Sequence, residues 1–158
     1  MNVDHAYTVA VEWQGNRGTG TSGYRDYGRQ TVLRTSGKPD ILASADRSFF
    51  GDPDRWNPED LLLASLSECH LLSYLHAAMR AGVVVQAYTD EASGTMRQEG
   101  DGGRFTEVVL RPHVTISAGD PELAQRLHEE AHGMCFIAAS VNFPVRHEPT
   151  VDVVGPSA

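Results

Sequence analysis

The chain has 158 residues, 41% of them hydrophobic, enough to build one domain around a genuine core. Thirteen basic side chains against 21 acidic ones give a formal net charge of −8, which repels phosphate backbones and anionic lipid. Nucleic acid and membrane surfaces are therefore poor partners. The chain shows neither a long unbroken apolar run nor a basic-then-apolar start, so the expectation is a cytoplasmic protein with no membrane span.

Tyr7, Val9, Val11 and Trp13 alternate with small or polar residues and predict a strand with one buried face. The glycine-rich stretch from Gly15 to Gly23 follows. A phosphate loop would lead into a helix N-terminus, but a second strand near Gln30 to Arg34 comes next, so the stretch is a hairpin turn. Residues 36–56 carry Gly37, Pro39, Gly51 and Pro53 and predict a loop with at most one short strand.

The strongest element begins at Asn57. Asparagine is a good N-cap, Pro58 suits the first helical position, and Glu59 and Asp60 set negative charge on the positive helix end. From Leu61 to Met79 leucine and alanine occupy all sides of the wheel, and Gly82 supplies a stop. A helix apolar all round is buried all round. The strands of one chain cover roughly one face of it, so a dimer pairing two such helices between two sheets meets the burial requirement.

A strand from Val83 towards Met96 is expected next, then a turn at Gly100 to Gly103 and a strand carrying Val108, Leu110, Val114 and Ile116. Asp120-Pro121-Glu122 repeats the cap, proline and acid pattern and opens a second helix with Leu123, Leu127 and Ala131 on one stripe. Gly133 weakens its end just before Cys135, and a last strand runs from about Val145 to Val154. The order predicts an α+β fold with an antiparallel sheet, as a single domain over residues 1–158.

There are two cysteines. A structural disulfide is not expected in a reducing compartment, and a cysteine taken singly reads as a small core hydrophobe. Their settings argue otherwise. Cys69 lies in the apolar helix with Ser65, Ser73 and His76 along its stripe. Cys135 sits at a weakened helix end, where a thiol has the freedom to reach a partner sulfur. Thiol peroxidation needs an ionised sulfur that becomes a sulfenic acid, and a second thiol that converts it to a disulfide. An ionised thiol in an apolar setting needs a cation nearby.

At this point the sequence resembles the OsmC/Ohr family (osmotically induced and organic hydroperoxide resistance proteins). Asn57-Pro58-Glu59-Asp60-Leu61-Leu62 followed by Cys69 is similar to the family's Asn-Pro-Glu-x-Leu … Cys segment. His132-x-x-Cys135 at a helix end, the Gly15-Asn16-Arg17-Gly18-Thr19-Gly20-Thr21 start and the element order agree with it, so the resemblance covers most of the chain. It implies an antiparallel sheet wrapped around a long central helix in an intertwined homodimer, with active sites at the subunit boundary. It also implies an organic hydroperoxide reductase with Cys69 as peroxidatic thiol, Cys135 as resolving thiol and Glu59 orienting an arginine. The arginine is Arg25, in a segment similar to the Arg-Asp-Gly of the Ohr branch, or Arg47, in one similar to the Arg-Phe of the OsmC branch. Arg25 is preferred, and Arg55 is a third candidate. No bound cofactor is implied, and electrons come from a dithiol, lipoylated protein being the family's usual donor.

Two departures bear on efficiency and substrate range. Phe136 stands where the better-studied branches have proline after the second cysteine, and Glu68 adjoins Cys69. Leu62, Leu66 and Phe136 are expected to wall the substrate pocket. His70, His76, His128 and His132 read as core or surface histidines. A zinc site from Cys69, His70, Cys135 and His132 lacks the tight spacing such sites use, and metal is set aside. Other functions compatible with the sequence are a non-redox dimer binding an apolar acyl or aromatic ligand, and a thioesterase-like hydrolase.

Overall fold

Asn57 caps the long helix as expected: its Oδ1 accepts the Asp60 N–H at 2.7 Å, and helix α1 runs Pro58–Arg80. It ends where Gly82, at φ +75, lets the Val83 N–H reach the Ala78 carbonyl at 2.9 Å. This is seen in a computed structural model that describes residues 3–155. Its contacts group into two units, one ending at Leu61 and one starting at Leu62.

In the first unit, strands β1 (Ala10–Trp13), β2 (Thr31–Arg34) and β3 (Ile41–Ala43) form an antiparallel sheet in that order. The loop between β1 and β2 is closed by Gly28 N–H to the Gly15 carbonyl at 2.7 Å and by Trp13 Nε1–H to the Gly28 carbonyl at 2.8 Å. A Cβ on Gly15 would lie 1.9 Å from the Gly28 oxygen, so only glycine fits there. The glycine-rich stretch is thus part of a hairpin. The buried face expected of the first strand is not buried in one chain. Tyr7, Val9, Val11 and Trp13 are all exposed, because nothing in this unit covers that side of the sheet.

The second unit holds β4 (Val84–Asp90), β5 (Ser93–Glu99), β6 (Gly102–Leu110), β7 (Pro112–Ala118), helix α2 (Pro121–Met134), β8 (Val145–His147) and β9 (Thr150–Val153). Each strand expected to be continuous is broken once. The breaks share a level: Asp90 Oδ1 accepts the Arg111 N–H at 2.6 Å, Arg111 donates to Ser93 Oγ at 2.7 Å, and its Nε lies 3.3 Å from Glu148. Two sheets result, β4-β7-β9 and β5-β6-β8. The antiparallel expectation holds for β4 with β7 and β5 with β6, but β8 and β9 pair parallel to β6 and β7. The reason is connectivity: α2 carries the chain back, so the returning strand runs the same way as the one it left.

Helix α2 is capped by Asp120, which accepts the Glu122 and Leu123 N–H groups. Its Ala124, Leu127 and Ala131 pack with Tyr74, Ala77 and Ala78 of α1 and with Val114 and Ile116 of β7. A second cluster joins Leu66 to Val108 and Leu110. The buried positions of α1 are Leu66, His70, Tyr74, Ala77 and Ala78, a single stripe. One chain thus covers roughly one face of the helix, as expected from its strands, and leaves Leu72, Leu75 and Met79 exposed. No helix of the described residues is long and apolar enough to cross a membrane.

Candidate active site

Two helices bring the two thiols together. Cys69 sits half-buried on α1, and Cys135 is the C-cap of α2, 1% exposed. Helix α2 ends there as Gly133 foretold, with the Cys135 backbone extended and its N–H on the His132 carbonyl. Burial pushes the Cys135 thiol up to about 11, and its hydrogen bond with Cys69 pushes the same way, against the Ala138 N–H donated to its sulfur at 3.4 Å. At neutral pH Cys135 is a thiol. The pair is asymmetric: Cys69 is half-buried, and Cys135 is enclosed, protonated and near enough to the Cys69 thiol to be shifted by it.

Glu68, the anion beside Cys69, is exposed and faces solvent. Leu66 is fully buried in the core and so is no pocket wall, whereas Leu62 is half-buried and Phe136 is 77% exposed. Glu59 lies in the first turn of α1 with its Oε2 buried and without a hydrogen-bond partner. Arg25 and Arg47 line one cavity in the first unit. Among the described residues, no ion pair joins Glu59 to Arg25, Arg47 or Arg55 within the chain, and the Arg55 Nη1 is likewise buried and unpartnered. The two cysteines are brought together; the carboxylate and the arginines are not.

Sequence reasoning missed a buried imidazole cluster. His70 Nε2 faces His128 Nδ1 at 3.0 Å, His128 stacks on Tyr74 with centroids 4.0 Å apart, and His147 lies against His70 at 5.4 Å. His132 adjoins His147, whose Nε2 is 3.5 Å from Glu129. Burial holds His70 down at about 4 and His128 at about 3, and neighbouring imidazoles add to it. The usable signal was position: His70 lies between Leu66 and Tyr74 on the buried stripe of α1, and His128 beside Leu127 on that of α2. His76 is exposed. Among the described residues, no group of three or more His, Cys, Asp or Glu side chains is placed to hold a metal ion.

Comparisons with known proteins agree with this architecture. An OsmC-like protein of unknown function from Vibrio cholerae O1 is 30% identical, with 93% of this chain and all of that chain covered and a TM-score of 0.82. The uncharacterized protein YmaD of Bacillus subtilis (strain 168) is 23% identical over 97% of this chain and 99% of its own length. An organic hydroperoxide resistance protein from Elizabethkingia anophelis shares the fold at 22% identity, with 96% of this chain and 100% of that one covered and a TM-score of 0.67. The model of the OsmC-like protein family matches residues 51–150, which carry α1, α2 and both cysteines, and the chain belongs to that family.

Proposed function

We propose that the protein is a thiol peroxidase that reduces organic hydroperoxides to alcohols. The observation that carries this reading is the contact between a half-buried Cys69 and a buried, protonated Cys135. The Cys69 thiolate attacks the terminal peroxide oxygen, the O–O bond breaks, and the alkoxide leaves as an alcohol after taking a proton. The resulting Cys69 sulfenic acid condenses with the Cys135 thiol. The S–S bond forms, and the Cys135 proton leaves with the sulfenic hydroxyl as water. A dithiol, such as a lipoyl group on a partner protein, returns both sulfurs to thiols and is itself oxidised to a disulfide. The setting is the reducing cytoplasm.

The cation that favours the Cys69 thiolate is assigned to Arg25 or Arg47, oriented by Glu59. Among the described residues no such pair forms within one chain, so the pairing is assigned across two copies of a homodimer. The apolar side chains left uncovered in one chain support this: Val9, Val11 and Trp13 on and beside β1, and Leu72, Leu75 and Met79 on α1. Sedimentation should therefore show a dimer, and the unfolding midpoint should rise with protein concentration. A stable 17.2 kDa monomer would remove the shared site.

The activity itself is tested by peroxide consumption under dihydrolipoamide. Leu62 and Phe136 offer apolar surface, so an aryl group burying about 100 Å² should gain roughly 2–3 kcal/mol. The expected result is a kcat/KM about 10²-fold higher for cumene hydroperoxide than for hydrogen peroxide. Equal or reversed preference contradicts the pocket, and no consumption of either contradicts the function. Single-turnover rates separate the arginines. One of Arg25→Ala and Arg47→Ala should slow attack by about 10- to 10³-fold, with Glu59→Ala resembling it, while the other stays near the unaltered rate. Unchanged rates in all three would reject the activation assignment.

A further inference from the structure

Four of the thirteen basic side chains gather in one place in the first unit. Arg17, Arg25, Arg29 and Arg47 line a cavity of about 440 Å³ together with Tyr27 and Phe50. Like charges do not collect by chance in a chain of net charge −8, whose overall field already draws cations and repels anions. Five arginines elsewhere are paired with carboxylates: Arg34 with Glu12 and Asp40, Arg80 with Glu130, Arg111 with Glu148, Arg126 with Glu122 and Arg146 with Glu107. Among the described residues, none of the four cavity arginines has a carboxylate within ion-pair distance. The nearby acids are engaged otherwise: Asp26 by the Ser22 hydroxyl, Asp46 by Ser48, and Asp52 by Gln30 and Ser44.

The cluster is also held in place before any ligand arrives. The Arg29 guanidinium lies over the Tyr27 ring at 4.1 Å and the Tyr24 ring at 4.6 Å, and it donates to the Tyr27 and Tyr24 carbonyls at 2.6 and 2.7 Å. Its role is to fix a positive wall. Arg25 lies over Phe50 at 5.2 Å, and Phe50 itself packs edge-on against Tyr24. Arg17 uses one nitrogen on the Arg25 carbonyl at 3.3 Å. Neither Arg25 nor Arg47 donates a side-chain hydrogen bond among the described residues, so their forks remain free for a planar oxyanion.

We infer that this cavity binds a small organic polyanion, its carboxylate or phosphate groups on Arg17, Arg25 and Arg47 and its apolar part on the Phe50 ring. One arginine suffices to favour a thiolate; four around a cavity suit a ligand with more than one negative charge. The inference does not rest on the peroxidase reading: where Glu59 holds one of Arg25 and Arg47, Arg17 and the other of the two still line the cavity.

Isothermal titration calorimetry on the full chain at low ionic strength, with both thiols reduced and no peroxide, tests it with two probes, inorganic pyrophosphate and citrate. Saturable binding of at least one is expected, and the tighter probe identifies phosphate or carboxylate as the preferred group. Binding should weaken about tenfold or more in Arg17→Ala and further in Arg17→Ala/Arg47→Ala, and should fall as salt is added. Arg126→Ala, on α2, should bind as the unaltered protein does. Arg17→Lys keeps the charge without the fork and should fall between the two, which separates lost recognition from a disturbed loop. Saturation by neither probe, or equal binding in the double variant, overturns the inference. Because peroxide is absent, that result leaves the peroxidase reading standing, and an inactive protein that still binds anions leaves this one standing.

Discussion

Cys69→Ser should abolish hydroperoxide consumption, a loss of at least about 10³-fold, while Cys135→Ser should complete one turnover and stop at a sulfenic acid. The asymmetry of the pair dictates this order. Cys135 is enclosed and its thiol is pushed up to about 11 by burial and by its bond with Cys69, so it offers almost no thiolate to a peroxide at neutral pH. Cys69 is the more exposed of the two cysteines. Once oxidised, it needs a neighbouring sulfur to form the disulfide, and the Cys135 thiol is near enough to feel Cys69. Mass spectrometry of each variant after stoichiometric cumene hydroperoxide reads both outcomes. Continued turnover in Cys69→Ser, or a fully cycling Cys135→Ser enzyme under the same dithiol, would reverse or remove the roles.

The imidazole cluster should make the fold acid-labile well above the carboxylate range. His70 and His128 share one N–H···N bond, while His70 Nδ1 and His128 Nε2 are buried without partners. Any added proton would have to sit in this closed space beside His132 and His147. The unfolded chain takes up protons at the ordinary value of 6.5, but the folded one resists until about 4 for His70 and about 3 for His128. Their contribution to stability is therefore complete above 6.5 and is lost as pH falls below it, towards those lower values. Going from about pH 8 to about pH 5 should cost roughly 2 kcal/mol for each histidine, about 4 in all. That is a large share of a typical domain's stability. Urea unfolding across that range measures it, and carboxylates contribute little there because they titrate lower. His128→Leu should reduce the slope by about half. Stability that stays level down to pH 5 would mean that the cluster accepts protons in the folded state.

Both helices, their caps and the separation of the cysteines onto two elements were legible in the sequence, because each is local. Asn57-Pro58-Glu59 and Asp120-Pro121-Glu122 are capping signals that act within one turn, and the structure honours both. The breaks in the long strands were not legible. They depend on Asp90 and Arg111 meeting from different strands, which no local pattern announces. The parallel pairing of β8 and β9 is a property of the return path through α2 rather than of the residues in the strands. That one chain covers only one face of α1 was legible, because the all-apolar wheel reports what the helix requires and the few strands report what one chain supplies. The histidines stayed hidden: a lone His70 on a helix is ordinary, and only the approach of His128 and His147 makes it a cluster. Of the three candidate arginines, Arg25 and Arg47 were identified singly, but their gathering with Arg17 and Arg29 around one cavity depends on how the loops of the first unit fold.

The most direct test of the thiol chemistry is a titration of free thiols in the unaltered protein before and after one equivalent of cumene hydroperoxide. The account predicts that both thiols disappear together and that both return when dihydrolipoamide is added. Two thiols still titratable after the peroxide has been added would contradict it.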